Sequence, residues 1–179
     1  MPTERKLVDD IRKGDTSAFR QLYLLYVKYL SAICSRYIPH EDDRKDILQE
    51  TFLKTWSSIK TFNYRGEGSL KAWMSKITVN LSLKYLKDSG KLRCEDISTL
   101  KEDIPDTDIN TRGIPTDVLM RFIQEMPDGY RTVFNLFVIE GLSHKEIAKL
   151  LGIKENTSAS QLFKAKALMA EKIRNYEKR

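Results

Sequence analysis

The chain has 179 residues, of which 41% are hydrophobic, so it can bury one modest core or two small ones. Its formal net charge of +6 is compatible with nucleic acid or an acidic surface as a partner, but such a surplus is also common in proteins that bind neither. Neither end carries an apolar run long enough for a signal peptide or a membrane span, which predicts a cytoplasmic protein with no direct membrane insertion.

The charge is unevenly divided along the chain. Residues 1–87 carry 16 Lys/Arg against 10 Asp/Glu, residues 88–113 carry 4 against 7, and residues 114–179 carry 11 against 8. Hydrophobic periodicity fails across the acidic block, which mixes acids with Gly, Pro, Ser and Thr. The sequence therefore predicts two domains, 1–87 and 114–179, joined by a flexible acidic linker at 88–113.

The two cysteines, Cys34 and Cys94, lie far apart, and neither belongs to a CxxC pair or a Cys/His cluster. Cys34 falls on the apolar face of a predicted helix, which favours a packed thiol over a redox pair or a metal ligand. The two histidines, His40 and His144, are isolated, and the chain contains no HExxH or GxSxG motif. The sequence predicts no metal, no cofactor and no catalytic residue.

Helical periodicity begins after Asp15, a residue that can accept hydrogen bonds from the first free N–H groups of a helix. Apolar and aromatic residues then recur every three or four positions until Pro39 ends the pattern. These residues are Phe19, Leu22, Tyr23, Tyr26, Leu30, Ile33 and Tyr37. We interpret the stripe as the buried face of a long helix.

A second helix is predicted to open at the acidic run 41–43, because negative charge is favourable at a helix N-terminus. Its inward stripe contains Ile47, Leu48, Thr51, Phe52 and Trp56. The other face combines acidic, amide and aliphatic side chains: Asp46, Gln49, Glu50 and Leu53.

A loop rich in turn formers, 61–68, precedes a third helix that Ser69 can cap. The inward stripe of this helix contains Leu70, Trp73, Ile77 and Leu81. Other positions give the helix a cationic flank: Lys71, Lys76, Asn80, Lys84 and Lys87.

After the linker, a helical pattern runs over 116–126 and stops at Pro127, with a turn predicted at Asp128 and Gly129. A further helix follows and ends at Gly141, a typical C-cap residue. The sequence shows neither strand alternation nor a repeat of solenoid length. The predicted fold class is all-α, with two small helical domains.

Residues 142–170 have the pattern of a helix-turn-helix, which presents its second helix to DNA. Ser143, followed three residues later by Glu146, has the spacing of a capping box, and Gly152 supplies the permissive backbone of a turn. The inward face of the first helix contains Ile147, Leu150 and Leu151.

The second helix of this pattern can be capped by Asn156 or Thr157. Its inward stripe contains Leu162, Ala165 and Met169. The side chains predicted to face solvent are Ser158, Ser160, Gln161, Lys164 and Lys166. A polar, cationic face suits a groove lined with phosphates, and an ordinary helical hairpin with a solvated lysine face is the alternative.

The order of these parts resembles that of extracytoplasmic-function sigma factors, the small two-domain class of bacterial transcription initiation factors. The segments DDRKDILQETFLKTWSSI (42–59) and FNYRGEGSLKAWMSKITVN (62–80) are similar to sigma region 2. Residues 119–169 are similar to sigma region 4. The resemblance covers nearly the whole chain and implies an alternative sigma factor that binds core RNA polymerase and directs initiation from promoter DNA, not an enzyme.

For region 2, the resemblance implies that the second helix docks on the clamp coiled coil of the largest polymerase subunit. The candidate contacts are Asp46, Gln49, Glu50 and Leu53. A mixed acidic and apolar face fits a protein better than DNA, because carboxylates repel phosphates; a solvated helix face is the alternative.

The loop and the third helix resemble the family's segment that recognises and melts the promoter element nearest the start site, the −10 element. Melting requires a pocket for an extruded base and cations along the single strand. The candidates are Asn63, Tyr64, Arg65, Lys76, Asn80 and Lys84.

For region 4, the resemblance implies that the second helix of the helix-turn-helix reads the distal, −35 element. The candidates are Ser158, Ser160, Gln161, Phe163 and Lys164. The chain departs from the family's common pattern at Asn156, which replaces a glycine, at Ala159, which replaces a basic residue, and at Gln161, which replaces an arginine. These departures predict a distinct promoter preference, and an affinity that becomes useful when polymerase tethers the domain.

The linker carries six acids between Glu95 and Asp108, with Lys101 as the one cation of that stretch. The resemblance implies that it threads a basic channel of the polymerase, and a solubilising tether is the alternative. An anti-sigma factor is a further partner that the family implies. The competing function is a stand-alone helix-turn-helix regulator, which would need a ligand or phosphoryl-acceptor domain in place of region 2.

Overall fold

The structure, a computed structural model, describes residues 3–92 and 111–178. In these ranges the regular elements are all helical, which confirms the all-α prediction. They are α1 (Glu4–Arg12), α2 (Thr16–Tyr37), α3 (Glu41–Ser58), α4 (Ser69–Asp88), α5 (Thr116–Gln124), α6 (Asp128–Phe134), a π-helical segment (Asn135–Ile139), α7 (His144–Leu151) and α8 (Glu155–Glu177). The chain divides into two compact units, unit 1 (Met1–Tyr85) and unit 2 (Leu86–Arg179).

Most of the predicted linker lies outside the described residues, including Cys94 and the acidic stretch from Glu95 to Asp108. Cys34 is fully buried, with its Sγ 3.7 Å from the Oγ of Ser82, and burial raises the pKa of the thiol. A packed thiol was the predicted state. Within residues 3–92 and 111–178, no cluster of His, Cys, Asp and Glu could hold a metal ion. No helix in the same ranges has the length and apolarity needed to cross a membrane.

Helix α2 begins where the sequence predicts because Asp15 caps it. One carboxylate oxygen accepts hydrogen bonds from the backbone N–H groups of Ser17, at 2.8 Å, and Ala18, at 3.2 Å. Bonds of this kind satisfy donors that the first turn of a helix leaves free. The cap fixes the residue at which α2 begins. The apolar stripe of α2 then packs against α3.

The interface between α2 and α3 is aromatic. The ring of Phe19 meets that of Trp56 edge-on, with 4.9 Å between centroids, and also approaches Phe52 at 6.4 Å. Tyr23 corrects the prediction of a fully inward stripe, since 44% of it is exposed. Its ring touches Phe52 at 4.8 Å from the rim of the interface, because a phenol can bury one edge while its hydroxyl stays in water.

Helix α1 is absent from the sequence-based prediction. Its nine residues are capped by Thr3, whose Oγ1 accepts a hydrogen bond from the N–H of Lys6 at 3.3 Å. Leu7, Val8 and Ile11 share one face of α1 and are buried within unit 1. The i, i+1, i+4 spacing of these three residues was a readable signal for a short amphipathic helix.

The turn predicted at Asp128 and Gly129 is wrong, because both residues belong to the first turn of α6. Pro127 ends the preceding segment and serves as the N-cap of α6, with an extended ψ of 145°. An acidic residue at the first helical position interacts favourably with the helix dipole. The turn-forming composition therefore marked a helix start and not a loop.

Helix α6 continues into a π-helical segment, in which the N–H of Glu140 donates to the carbonyl of Asn135 at 3.0 Å. Gly141, with φ +72°, then ends the helix as predicted. The wider turn leaves Val138 and Ile139 exposed by 49% and 40%.

A buried arginine holds the connection between α5 and α6. Arg131 is 2% exposed, and its Nη1 donates to the carbonyls of Gln124, at 3.1 Å, and Met126, at 2.7 Å. Its Nη2 pairs with the carboxylate of Asp128. Burial lowers the pKa of Arg131, and the charge and hydrogen bond of Asp128 oppose that shift. The guanidinium thus fastens the end of one helix to the start of the next.

Candidate polymerase-binding and nucleic-acid surfaces

The outer face of α3 places the four predicted polymerase contacts in one exposed row. Asp46, Gln49 and Glu50 are exposed, and Leu53 is 61% exposed. Their spacing of three and four residues puts them on the same side of a helix. An exposed leucine beside two carboxylates and an amide gives this face an apolar contact next to acidic ones, which a protein partner can use.

The loop between α3 and α4 is built by its own hydrogen bonds. The hydroxyl of Ser69 donates to the carbonyl of Gly66 at 2.6 Å and accepts from the N–H of Arg65 at 3.2 Å. Gly66 and Gly68 have φ values of +119° and +87°, which residues with a Cβ rarely adopt. Ser69 is therefore the first residue of α4 and closes the loop, instead of capping the helix as predicted.

Three predicted −10 contacts project from this loop. Asn63 and Arg65 are exposed, whereas Tyr64 is half-buried and its hydroxyl lies 3.2 Å from Oε2 of Glu67. Partial burial and the neighbouring carboxylate raise the pKa of the Tyr64 phenol. The phenol therefore stays neutral. Its ring offers an aromatic face on which a base can stack.

An aromatic pair closes the base of the loop. Phe62 is buried and stacks on the half-buried Trp73, with 4.7 Å between centroids and 30° between ring planes. Trp73 was predicted to belong mainly to the core, and this contact agrees with that interpretation.

All members of the predicted cationic flank of α4 are exposed. Lys76, Asn80 and Lys84 are exposed and follow one another at four-residue intervals, so they share a face. Lys71 lies apart from that row, with its Nζ 4.1 Å from the centroid of the Tyr29 ring. A cation–π contact of this kind holds the ammonium against unit 1.

The helix-turn-helix has the predicted start and turn. Ser143 and Glu146 form a complete capping box, in which the N–H of Ser143 donates to Oε2 of Glu146 at 2.8 Å. The hydrogen bonds from Ser143 lower the pKa of Glu146. Gly152 ends α7 in the left-handed conformation, with φ +71°. Leu150, predicted to face inward, is instead 45% exposed.

Helix α8 begins earlier than predicted. Its N-cap is Lys154 and its first residue is Glu155, so Asn156 and Thr157 lie inside the first turn and neither caps it. Glu155 provides the negative charge that the helix N-terminus favours. The first turn of α8 therefore contains Thr157 and Ser158, both of which are buried.

The inward stripe of α8 includes two of the five residues predicted to contact the −35 element. Ser158 and Gln161 were predicted to face solvent, but their exposures are 0% and 5%. Both lie three or four positions before Leu162 or Ala165, and so occupy the same side of α8. Ser160 is exposed, while Phe163 and Lys164 are half-buried. The Nζ of Lys164 lies 5.9 Å from the centroid of the Tyr130 ring.

Ser158 connects the two helices of the motif. Its Oγ lies 2.9 Å from Nδ1 of His144, the first residue of α7. The imidazole also stacks on Phe137, with 4.6 Å between centroids. The contacts of His144 with Ser158 and Phe137 thus help to fix the angle between α7 and α8.

Gln161 packs against the start of α6. Its Oε1 is buried and has no hydrogen-bond partner among the described residues. A Cβ added to Gly129 would lie 3.1 Å from that oxygen, so a glycine at this position allows the close approach. The amide thus occupies a packed site, although burial of an unpaired acceptor is unfavourable.

We predict that Gln161→Met raises the free energy of unfolding of unit 2 by about 1 kcal/mol, because a buried unpaired acceptor costs ~1–3 kcal/mol and methionine has a similar shape. Urea denaturation of the full chain measures the change. Asn175→Met, at an exposed position of the same helix, is the matched control and should have little effect. A loss of stability in Gln161→Met would mean that the amide makes a favourable polar contact.

Two segments of the chain match sequence profiles of one protein family. Residues 22–92 match sigma-70 region 2, and residues 116–169 match sigma-70 region 4. The chain therefore belongs to the sigma-70 family of transcription initiation factors, in the extracytoplasmic-function group, and acts as an alternative sigma factor.

Sigma factors of other bacteria align with the chain along almost their whole length. An ECF RNA polymerase sigma-E factor of Haemophilus influenzae is 29% identical over 184 aligned residues, which cover 96% of this chain and 95% of the relative. The sigma-E factor of Escherichia coli K12 is 27% identical, with coverages of 96% and 94%. The sigma factor RpoE of Bartonella quintana, solved with the anti-sigma factor NepR, shares the fold with a TM-score of 0.51 at 20% identity, over 87% of this chain and 96% of that one.

Proposed function

We propose that this sigma factor binds core RNA polymerase through the outer face of α3, opens the −10 element with the α3–α4 loop and α4, and contacts the −35 element with α8. In this proposal residues 1–87 form the region 2 domain, 114–179 the region 4 domain, and 88–113 the acidic connector. Its role is to direct initiation in the cytoplasm, where the polymerase acts, and it performs no catalysis itself.

The observation that carries the proposal is that unit 1 has two exposed faces of different chemistry. The face of α3 presents Asp46, Glu50 and the exposed Leu53, whereas the face of α4 presents two lysines and an asparagine. Carboxylates favour a basic protein surface, while lysines favour phosphates. A free-standing DNA-binding regulator would not require the first of these faces.

For the −10 element, the three projecting loop residues supply what base extrusion needs. Tyr64 offers an aromatic face, Asn63 offers both donors and acceptors, and Arg65 offers a charge beside the backbone. The lysines of α4 then neutralise phosphates of the separated strand. Asn80, which lies between Lys76 and Lys84, is a candidate for a base-edge contact.

For the −35 element, we assign direct contact to Ser160, Phe163 and Lys164. Ser158 and Gln161 contribute indirectly, because their buried side chains orient α8 against α7 and α6. The loss of two polar contacts would weaken the affinity of the isolated domain for DNA. Its binding would then depend on tethering to polymerase.

Lys164→Ala should weaken binding of the holoenzyme to a promoter that contains the −35 element and lower the salt slope by about one unit, because one phosphate contact is lost. Measuring affinity at several salt concentrations tests this expectation. Lys178→Ala, an exposed cation near the end of α8, is the control and should leave the slope unchanged. An unchanged slope in Lys164→Ala would remove this lysine from the interface.

Reconstitution tests the whole proposal. Purified protein added to core polymerase should give run-off transcription from promoters selected by the holoenzyme, and should not shift the same DNA strongly on its own. Strong DNA binding without polymerase, and no association with core, would support a stand-alone helix-turn-helix regulator instead.

An anti-sigma factor is the further partner that we propose. The Bartonella quintana relative was solved with such a protein. A pull-down of this sigma factor from native cells would show whether it binds a protein other than polymerase.

A further inference from the structure

Helix α1 contacts both ends of the α3–α4 loop. At the first end, Nε of Arg12 donates to the carbonyl of Ile59 at 3.3 Å, and its Nη2 donates to the carbonyl of Phe62. Asp9 lies 3.5 Å from Nη1 and orients the guanidinium. One side chain thus holds two backbone carbonyls that follow the end of α3.

At the second end of the loop, Glu4 caps α4 from 66 residues earlier in the chain. Its Oε2 accepts from the N–H of Leu70 at 3.4 Å, and its Oε1 accepts from the N–H of Lys71 at 3.3 Å. A carboxylate in this position satisfies free backbone donors and interacts favourably with the helix dipole. Glu4 provides the cap that Ser69, occupied within the loop, does not.

The Glu4 site is enclosed. The residue is 4% exposed, and the hydroxyl of Tyr26 donates to its Oε1 at 3.0 Å. Burial, followed by the hydrogen bond and charge of Glu4, raises the pKa of Tyr26, so the phenol remains a donor. Charge-assisted hydrogen bonds away from water are stronger than neutral exposed ones, so this end of the loop is held firmly.

We propose that α1 is the positioning element of the DNA-opening loop: Arg12 and Glu4 fix its two ends, so that Asn63, Tyr64 and Arg65 between them are preorganised for an extruded base. This inference rests on the proposed −10 function. The hydrogen bonds of Tyr64 with Glu67 and of Arg65 with Ser69 lie within the loop, so they shape it without fixing it to the rest of unit 1. A binding site on a short loop discriminates only when its supports are fixed. Neither Arg12 nor Glu4 touches the DNA in this arrangement; both act through the backbone.

The test compares conservative variants of the two anchors with a destabilised control. Arg12→Lys keeps the charge but cannot donate to two carbonyls in the fixed geometry of a guanidinium, and Glu4→Gln keeps the shape but removes the charge. Val8→Ala, at a fully buried position of the same helix, removes apolar packing and no hydrogen bond to the loop. The melting temperature of each variant shows how far stability alone has changed.

Holoenzymes assembled with each variant are assayed for binding to single-stranded oligonucleotides with the selected or a substituted −10 sequence, and for permanganate reactivity of melted promoter thymines. We expect Arg12→Lys and Glu4→Gln to lose about tenfold in discrimination, the scale of one charge-assisted hydrogen bond, while core binding is unchanged. Val8→Ala should retain discrimination even where its melting temperature falls as far.

Two results would overturn the inference in distinguishable ways. If wild-type holoenzyme discriminates between the oligonucleotides and both anchor variants do so equally well, α1 has only a structural role. If the wild type itself does not discriminate, the proposed −10 function fails as well. Amide exchange at Leu70 and Lys71 gives a second measurement: protection equal to that of the wild type in Glu4→Gln would show that the carboxylate does not hold the helix start.

Discussion

Glu50→Lys should abolish binding to core RNA polymerase while leaving the fold intact. Glu50 is exposed at the middle of the α3 face, so the change adds no buried charge and removes no packing. Reversing a charge at the centre of an interface places like charges together, and we expect at least a hundredfold loss of affinity, corresponding to about 3 kcal/mol. Titration of fluorescently labelled protein with core polymerase measures this loss, and circular dichroism confirms the fold.

Glu171→Lys is the matched control for this prediction, because it makes the same charge change at an exposed position of α8. It should bind core polymerase like the wild type. Leu53→Glu tests the exposed apolar residue of the same face without a change from acid to base, and should also weaken binding strongly. Normal affinity in both Glu50→Lys and Leu53→Glu would show that polymerase docks elsewhere.

Arg131→Leu should unfold unit 2 at temperatures where the wild type is stable. The substitution leaves the carbonyls of Gln124 and Met126 without their donor and Asp128 without its counter-charge. Leaving a buried carbonyl without its donor typically costs ~1–3 kcal/mol, and the partly exposed Asp128 also loses its counter-charge. The sum is a sizeable fraction of the roughly 5–15 kcal/mol that stabilises a small domain. Thermal unfolding followed by circular dichroism should show a separate, earlier transition.

Arg121→Leu is the control for Arg131→Leu, since it makes the same substitution at an exposed position of α5. Its melting should differ little from that of the wild type. A small effect of Arg131→Leu would mean that water replaces the guanidinium at low cost. In that case the pair would contribute to the connection between α5 and α6 without dominating the stability of the unit.

Local signals allowed much of the fold to be predicted. The capping box of Ser143 and Glu146 and the cap at Asp15 are encoded within four residues, so the sequence alone located those helix starts. Gly152 was predictable for the same reason, because its left-handed conformation depends on the glycine itself and not on distant contacts. The outward row on α3 also follows from helical spacing alone, although its polymerase role came from family resemblance.

The errors have a different origin. Ser158 and Gln161 were placed in solvent because their side chains are polar, yet helical phase puts them beside Leu162 and Ala165. Giving helical periodicity more weight than side-chain polarity would have predicted that both residues are buried. The contacts of His144 with Ser158, and of Gln161 with α6, depend on how separate helices cross, and no pattern within one helix contains that information.

The cap on α4 has a consequence for the order in which the chain can assemble during synthesis. Helix α1 leaves the ribosome before α4, so the carboxylate of Glu4 has no helix to cap until Leu70 and Lys71 have been made. Contacts between such distant residues slow folding, because a long stretch must be closed before they form. The segment around Asn63 is thus among the last parts of unit 1 to acquire its shape, because one of its two supports is missing until that stage.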